Sequence, residues 1–179
     1  MRIMHFEFGQ HLYGGATQVQ YLIKELADSG IENILVCPVD SAISRVTCAK
    51  KVIEIPITGD LDIRLPFRLK RLIGFYNPNV VHVHSRRGAD IMGGWAARSM
   101  AVPAVLTRRV DSRELALLAR FKYSLYQAVV AISSAIEQEL LVHVGLNKSL
   151  VYNIPSAVNT ERYSPKVTRN RLATEAGFQ

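Results

Sequence analysis

The chain has 179 residues, 49% of them apolar and 21% charged, with a formal net charge of +7 and two cysteines. That is enough for one domain with a real core, and the composition is that of a globular chain rather than a disordered or disulfide-framed one. The basic balance suits phosphate-rich ligands, anionic lipid or nucleic acid without choosing among them.

Residues 3–8 form an apolar opening run, read as a first strand. Gly9-Gln10-His11-Leu12-Tyr13-Gly14-Gly15-Ala16 follows, and then an amphipathic stretch predicts a helix over 16–29 with Gly30 as its C-cap. Glycines at a strand-to-helix turn let the backbone approach a ligand, and the helix start offers unpaired N–H groups to phosphate. Gly14 and Gly15 are therefore candidate phosphate-binding positions. The loop is not a P-loop, because Gly15-Ala16 stand where Lys and Ser/Thr belong, and it is not G-x-G-x-x-G. A tight turn with no ligand is the plainer reading.

Further strands are expected at 34–38, 52–57, 80–84, 104–107, 129–132 and 150–154, several of them continuously apolar, as in strands covered on both faces. Helices are expected at 66–76, 88–100, 113–126 and 134–144. Ser133 or Ser134 caps the last of these, with Glu137 placed for a capping box with Ser134. Alternating strands and helices predict a Rossmann-like, doubly wound parallel α/β sheet, whose ligands bind outside the carboxyl ends of the strands. The stretch 155–159 reads as an irregular connection. Residues 1–165 are expected to form one domain, and 166–179 a linker and the start of a further element. No leader peptide and no membrane-spanning stretch are recognised, which predicts a cytoplasmic location.

Arg108 and Arg109 follow a strand's carboxyl end, where guanidinium forks pair with phosphate or carboxylate. Arg86 and Arg87 hold the same place one strand earlier. His82 and His84 share one strand face. Their spacing would suit a metal, but the nearby sequence offers no third ligand, so core or cleft-lining imidazoles are the better reading, with His84 nearer the cleft. Asp60-Leu61-Asp62 is read as a loop rather than a metal site. The basic segment 64–73 reads as an ordinary amphipathic helix. Residues 113–126 place Arg113, Arg120 and Lys122 beside Leu118, Phe121 and Tyr126, a pattern that also suits an anionic bilayer surface. Nucleic acid is not expected, since aromatics and bases are not interleaved for stacking.

Five strings in order carry a resemblance: Gly14-Gly15-Ala16, Val80-Val81-His82-Val83-His84-Ser85, Thr107-Arg108-Arg109-Val110-Asp111, Val130-Ala131-Ile132-Ser133-Ser134-Ala135-Ile136, and Ile154-Pro155-Ser156-Ala157-Val158-Asn159-Thr160-Glu161-Arg162-Tyr163-Ser164-Pro165. Together they resemble the N-terminal domain of retaining GT-B glycosyltransferases of family four. The resemblance implies one half of a two-domain enzyme. This half mainly receives the acceptor, a glycan or glycolipid of the bacterial envelope. The nucleotide-sugar donor is held mainly by the other half, through two glutamates with seven residues between them. Glu25 and Glu32 have only six between them, so that pair is absent, and this chain alone is expected to be inactive. The resemblance further implies a reaction without metal or other cofactor, and a peripheral contact with anionic membrane. It makes Gly14, Gly15, His84, Arg86, Arg108 and Ser133 candidate substrate or phosphate contacts. Arg109 becomes the candidate catalytic residue, standing where many members carry a histidine. Ala157 and Asn159 depart from the usual Gly and Asp. A nucleotide-sugar epimerase of the same architecture, or a non-catalytic glycan- or phosphate-binding module, is the alternative.

Overall fold

A computed structural model describes residues 1–59, 62–84, 88–161 and 163. Seven strands, β1 (Arg2–Phe6), β2 (Glu32–Pro38), β3 (Lys51–Ile55), β4 (Val80–Val83), β5 (Ala104–Arg108), β6 (Ala128–Ala131) and β7 (Val151–Asn153), form one sheet in the order β3-β2-β1-β4-β5-β6-β7. Every pairing is parallel. The order runs outward from β1 to β3, then returns to β4 on the other side of β1. Loops leaving β1 and β4 diverge there, which opens a crevice at the carboxyl ends of the strands.

Six helices cover the sheet: α1 (Gly14–Asp28), α2 (Ala42–Val46), α3 (Leu65–Tyr76), α4 (Ala89–Ser99), α5 (Ala116–Tyr123) and α6 (Ser134–Gln138). Side chains alternate between the two faces. On one face Met4, Phe6, Val81, Val83 and Leu106 pack with Leu69 and Ile73 of α3 and Ala96 and Ala97 of α4. Helix α4 lies close because Gly93 and Gly94 face it inward; a Cβ on Gly93 would stand 3.0 Å from Phe6 and Val83, and one on Gly94 2.8 Å from the Tyr126 ring. The opposite face receives α1, whose Ala16, Val19 and Ile23 meet Leu35 and Cys37 of β2.

The expected α/β sheet is present with all seven strands; the differences are local. Gly14 and Gly15 are the first two residues of α1 rather than a turn before it, with Tyr13 at the N-cap. Gly30 has φ +77° just past the C-cap Ser29, the left-handed position that favours glycine. Helix α2 was not expected, and its five residues are too few to show a helical period in the sequence. The helix expected over 113–126 shrinks to α5, because residues 113–115 are drawn out to feed an ion network. Ser133, not Ser134, caps α6, its hydroxyl accepting from the Ile136 N–H at 3.3 Å. Glu137 does not close a capping box; it binds Lys148 and the Asn153 amide instead. After Gln138 the helix widens into a π-turn over Glu139–His143. The expected boundary at 165 and the segment 166–179 lie outside the described residues. No helix among the described residues is long and apolar enough to cross a membrane.

Candidate functional site

A cleft of about 810 Å³ opens at the carboxyl ends of β1, β4 and β5, against the start of α1. Its size falls in the range of small-molecule sites. Glu7, Gly9, Gly15, His84 and Arg109 line it, with Leu65 and Ile57 on the apolar side.

Strand alternation chooses which polar groups reach it. His5 pairs with His82 in register, so His5 and Glu7 of the first strand segment share a face with His82 and His84, and with Thr107 and Arg109 further along. This is the α1 face. Arg108 turns the other way. Its guanidinium donates to the Val110 carbonyl at 3.2 Å, to the Ser112 carbonyl at 2.5 Å and to the Tyr123 hydroxyl at 3.0 Å, and pairs with Glu114 at 3.3 Å. About 10 Å³ is left beside it, no more than a water fills. Arg108, a candidate phosphate contact in the sequence, has its fork committed to the loop after β5.

Arg109 is differently placed. It is largely buried, its Nε finds no hydrogen-bond partner, and its Cδ lies 3.4 Å from where a Cβ on Gly15 would stand. Burial lowers its pKa, and the charge of Glu7 acts against that. No ion pair joins the two among the described contacts. The Glu7 carboxyl is 5% exposed and accepts the Gly9 N–H at 2.9 Å. Burial raises its pKa, while the Gly9 N–H and Arg109 hold it down. A largely buried guanidinium beside a cleft has the chemistry to receive an anion.

The third histidine that neighbouring sequence did not offer is His5. The His5 Nδ1 and His84 Nε2 lie 3.0 Å apart, His5 Nε2 lies 3.0 Å from the Asn33 carboxamide oxygen, and His82 Nε2 lies 2.8 Å from the Thr107 hydroxyl. One ligand nitrogen from each ring falls within 4.8 Å of the others. His5 spends both ring nitrogens, and His82 and His84 each spend Nε2 on a neighbour; the Arg109 charge acts on His82 and His84, which disfavours a cation. Two imidazole nitrogens sharing a tetrahedral zinc at about 2.05 Å would stand about 3.3 Å apart, wider than the His5–His84 contact. Burial pushes all three pKa values down, that of His5 to about 4, so the rings are neutral at pH 7.

Ser133 spends its hydroxyl on the α6 cap. Arg86 and Arg87 lie outside the described residues, as do Asp60 and Leu61. Asp62 is buried and occupied by the Thr58 and Arg64 N–H groups and by Arg68. Residues 155–159 cross α1, where the Gln18 carboxamide donates to the Ala157 carbonyl at 2.6 Å and accepts its N–H at 2.8 Å. Sequence reasoning missed Glu7, His5 and Asn33.

A parallel sheet in this strand order, with a cleft at its switch point, defines a Rossmann-like α/β domain. The chain belongs to Glycosyltransferase Family 4, whose sequence model matches residues 13–162. No curated protein sequence matches it significantly. Among solved structures it resembles a glycosyltransferase from Rickettsia africae, at TM-score 0.79 and 17% identity over 99% of this chain and 50% of that one. It also resembles HepE from Anabaena in complex with UDP and glucose, at TM-score 0.72 and 16% identity over 99% and 50% of the two chains. A third is the UDP-GlcNAc 2-epimerase of Neisseria meningitidis bound to UDP-GlcNAc, at 0.69 and 15% over 100% and 55%. These likenesses establish the GT-B type of fold. The chain spans about half the length of each of these proteins.

Proposed function

We propose that the chain is the N-terminal, acceptor-side half of a glycosyltransferase that moves a sugar, with retention, from a nucleotide-sugar donor to an envelope glycan or glycolipid. The carrying observation is Arg109: a largely buried guanidinium whose Nε–H has no partner among the described residues, at the switch point of the sheet, over the start of α1. There it stabilises charge on the departing diphosphate or anchors an anionic acceptor. The N–H groups at Gly14 and Gly15 add the positive end of α1. No metal, cofactor or protein nucleophile is required; catalysis rests on positioning and on leaving-group stabilisation. The HepE structures, which contain UDP, glucose or UDP-glucose, support a nucleotide-sugar ligand. The likeness to the Neisseria epimerase keeps one rival open, and nucleotide-sugar turnover without an added acceptor would favour it.

A peripheral place at the inner face of the membrane fits α5, which packs inside out. Its buried residues are Ala119, Lys122 and Tyr123, while Leu117, Leu118 and Phe121 are exposed, with Leu115 just before them. Arg113 and Arg120 flank this apolar face. Lys122, counted in the sequence among the lipid-facing bases, instead pairs with Asp90 at 3.0 Å and with Glu114.

The test of the transfer reading is Arg109→Ala in the full-length enzyme. Lost leaving-group stabilisation lowers kcat; a lost acceptor anchor mainly raises the acceptor KM. Unchanged constants in a variant of unchanged melting temperature would remove Arg109 from the site.

A further inference from the structure

Two residues that line the cleft each hold a buried polar atom with no partner among the described residues: the Arg109 Nε–H, a donor, and the His84 Nδ1. Hydrogen bonding fixes what the second one is. The Asn33 side-chain N–H₂ donates to the Ile31 carbonyl at 2.8 Å and, more weakly, to the Ile23 carbonyl at 3.4 Å. Its carboxamide oxygen therefore faces His5 Nε2 as an acceptor, and His5 must carry its proton on Nε2. A neutral His5 then has a bare Nδ1, which accepts from His84 Nε2–H at 3.0 Å. A neutral His84 protonated on Nε2 leaves its Nδ1 as a lone pair. His5 and His84 are both buried, at 0% and 3% exposure, and desolvation keeps both neutral.

We propose that Asn33 and His5 are positioning residues that lock His84 in its Nε2–H tautomer, and that the His84 Nδ1 so presented accepts a hydrogen bond from a hydroxyl of the bound sugar. A hydroxyl is a group that can donate to the bare Nδ1. A phosphate ionised at pH 7 would meet Arg109 but repel the lone pair of Nδ1. The relay thus separates hydroxyl from anion within one cleft. Burying a lone pair without a partner is costly, and the ligand hydroxyl offsets that cost on binding. The choice of a sugar hydroxyl rests on the nucleotide-sugar reading given above; the tautomer does not.

The experiment is long-range ¹H–¹⁵N correlation of the histidine rings in the ¹⁵N-labelled chain at pH 7. The expected spectrum has His5 and His84 both neutral and protonated on Nε2. His84 found as the Nδ1–H tautomer, or as imidazolium, overturns the relay. In His5→Phe, which keeps a ring but removes the acceptor, His84 is expected to populate both tautomers, whereas a merely structural His5 would leave its tautomer fixed. The wild-type spectrum decides the relay even if that variant does not fold. UDP-glucose, but not UDP, is then expected to move the His84 Nδ1 signal upfield. An unmoved Nδ1 signal overturns the hydroxyl assignment. If the Gly14 and Gly15 amides are unmoved as well, the nucleotide-sugar reading falls with it.

Discussion

Arg108 and Arg109 are chain neighbours whose side chains serve opposite faces of the sheet. Arg108 goes to the α5 side, where Tyr123, Glu114 and two carbonyls use its donors. Arg109 goes to the α1 side, beside Gly15, with its Nε unused. One residue of strand alternation divides an arginine committed to the α5 side from one that lines the cleft.

Arg108→Ala is therefore expected to damage folding. Removing it takes away the fork that ties the Val110 and Ser112 carbonyls to Tyr123 and Glu114, which keep each other and Lys122; losing hydrogen bonds to a charged group costs about 1.5–3 kcal/mol. A chemical denaturation curve checks this; a loss under about 1 kcal/mol would contradict it.

At the start of α1, Gly15→Ala is expected to fold at least as well as the parent. The added Cβ meets Arg109 Cδ at 3.4 Å, an ordinary contact. Alanine is better in a helix by up to about 1 kcal/mol. Gly15→Val pushes a branched side chain toward Arg109, so it should weaken ligand binding while leaving the melting temperature near that of the parent. Equal binding by the valine variant would make Gly15 a purely structural residue.

Acid should destabilise the chain through its histidines. His5 has a pKa near 4 when folded against 6.5 ordinarily, and His82 and His84 are lowered too. Such groups take up protons only on unfolding, so their stability is full above about pH 6.5 and is lost as pH falls toward 4. For His5 alone the loss is about 3 kcal/mol, at 1.36 kcal/mol per unit. Glu7 works in the opposite sense: its raised pKa means that ionisation costs stability as pH rises through it. Denaturation at pH 7 and pH 5 measures the balance, and a chain more stable at pH 5 than at pH 7 would contradict neutral buried histidines.

Helix α5 gives a lipid prediction. Leu117→Asp and Phe121→Asp should abolish binding to anionic vesicles with little change in melting, since both side chains are already exposed. Lys122→Ala should lower the melting temperature by taking the ion pair from Asp90, while Glu114 keeps Arg108. Binding should weaken with salt, because Arg113 and Arg120 act over a Debye length of about 8 Å. Equal binding to neutral and anionic vesicles, or none to either, counts against this surface.

The strand and helix order was legible because buried parallel strands read as apolar runs broken by helical periods. Location was legible too: in such a sheet, Arg109 and His84 had to lie near carboxyl ends. What was hidden depends on register. His5 and Glu7 interrupt the apolar run of residues 3–8, but only the pairing of His5 with His82 shows that they join His84. The parity of His82, His84, Thr107 and Arg109 was in the sequence and would have separated Arg109 from Arg108. Lys122 misled because its partners, Asp90 and Glu114, are 32 and 8 residues away, and a base on an amphipathic helix ordinarily faces water.

The account stands or falls on the cleft, and affinity measures it directly. Titrate UDP-glucose into the chain, into Arg109→Ala and into a Gly15→Val control, following amide shifts and melting. A half-site should bind at about millimolar, or roughly −4 kcal/mol, with the largest shifts at Gly14, Gly15 and His84. Arg109→Ala should weaken that by at least about tenfold, the loss of one charged hydrogen bond of about 1.5–3 kcal/mol, without lowering the melting temperature. Unchanged affinity in Arg109→Ala, or sub-micromolar binding by this chain alone, would contradict the account.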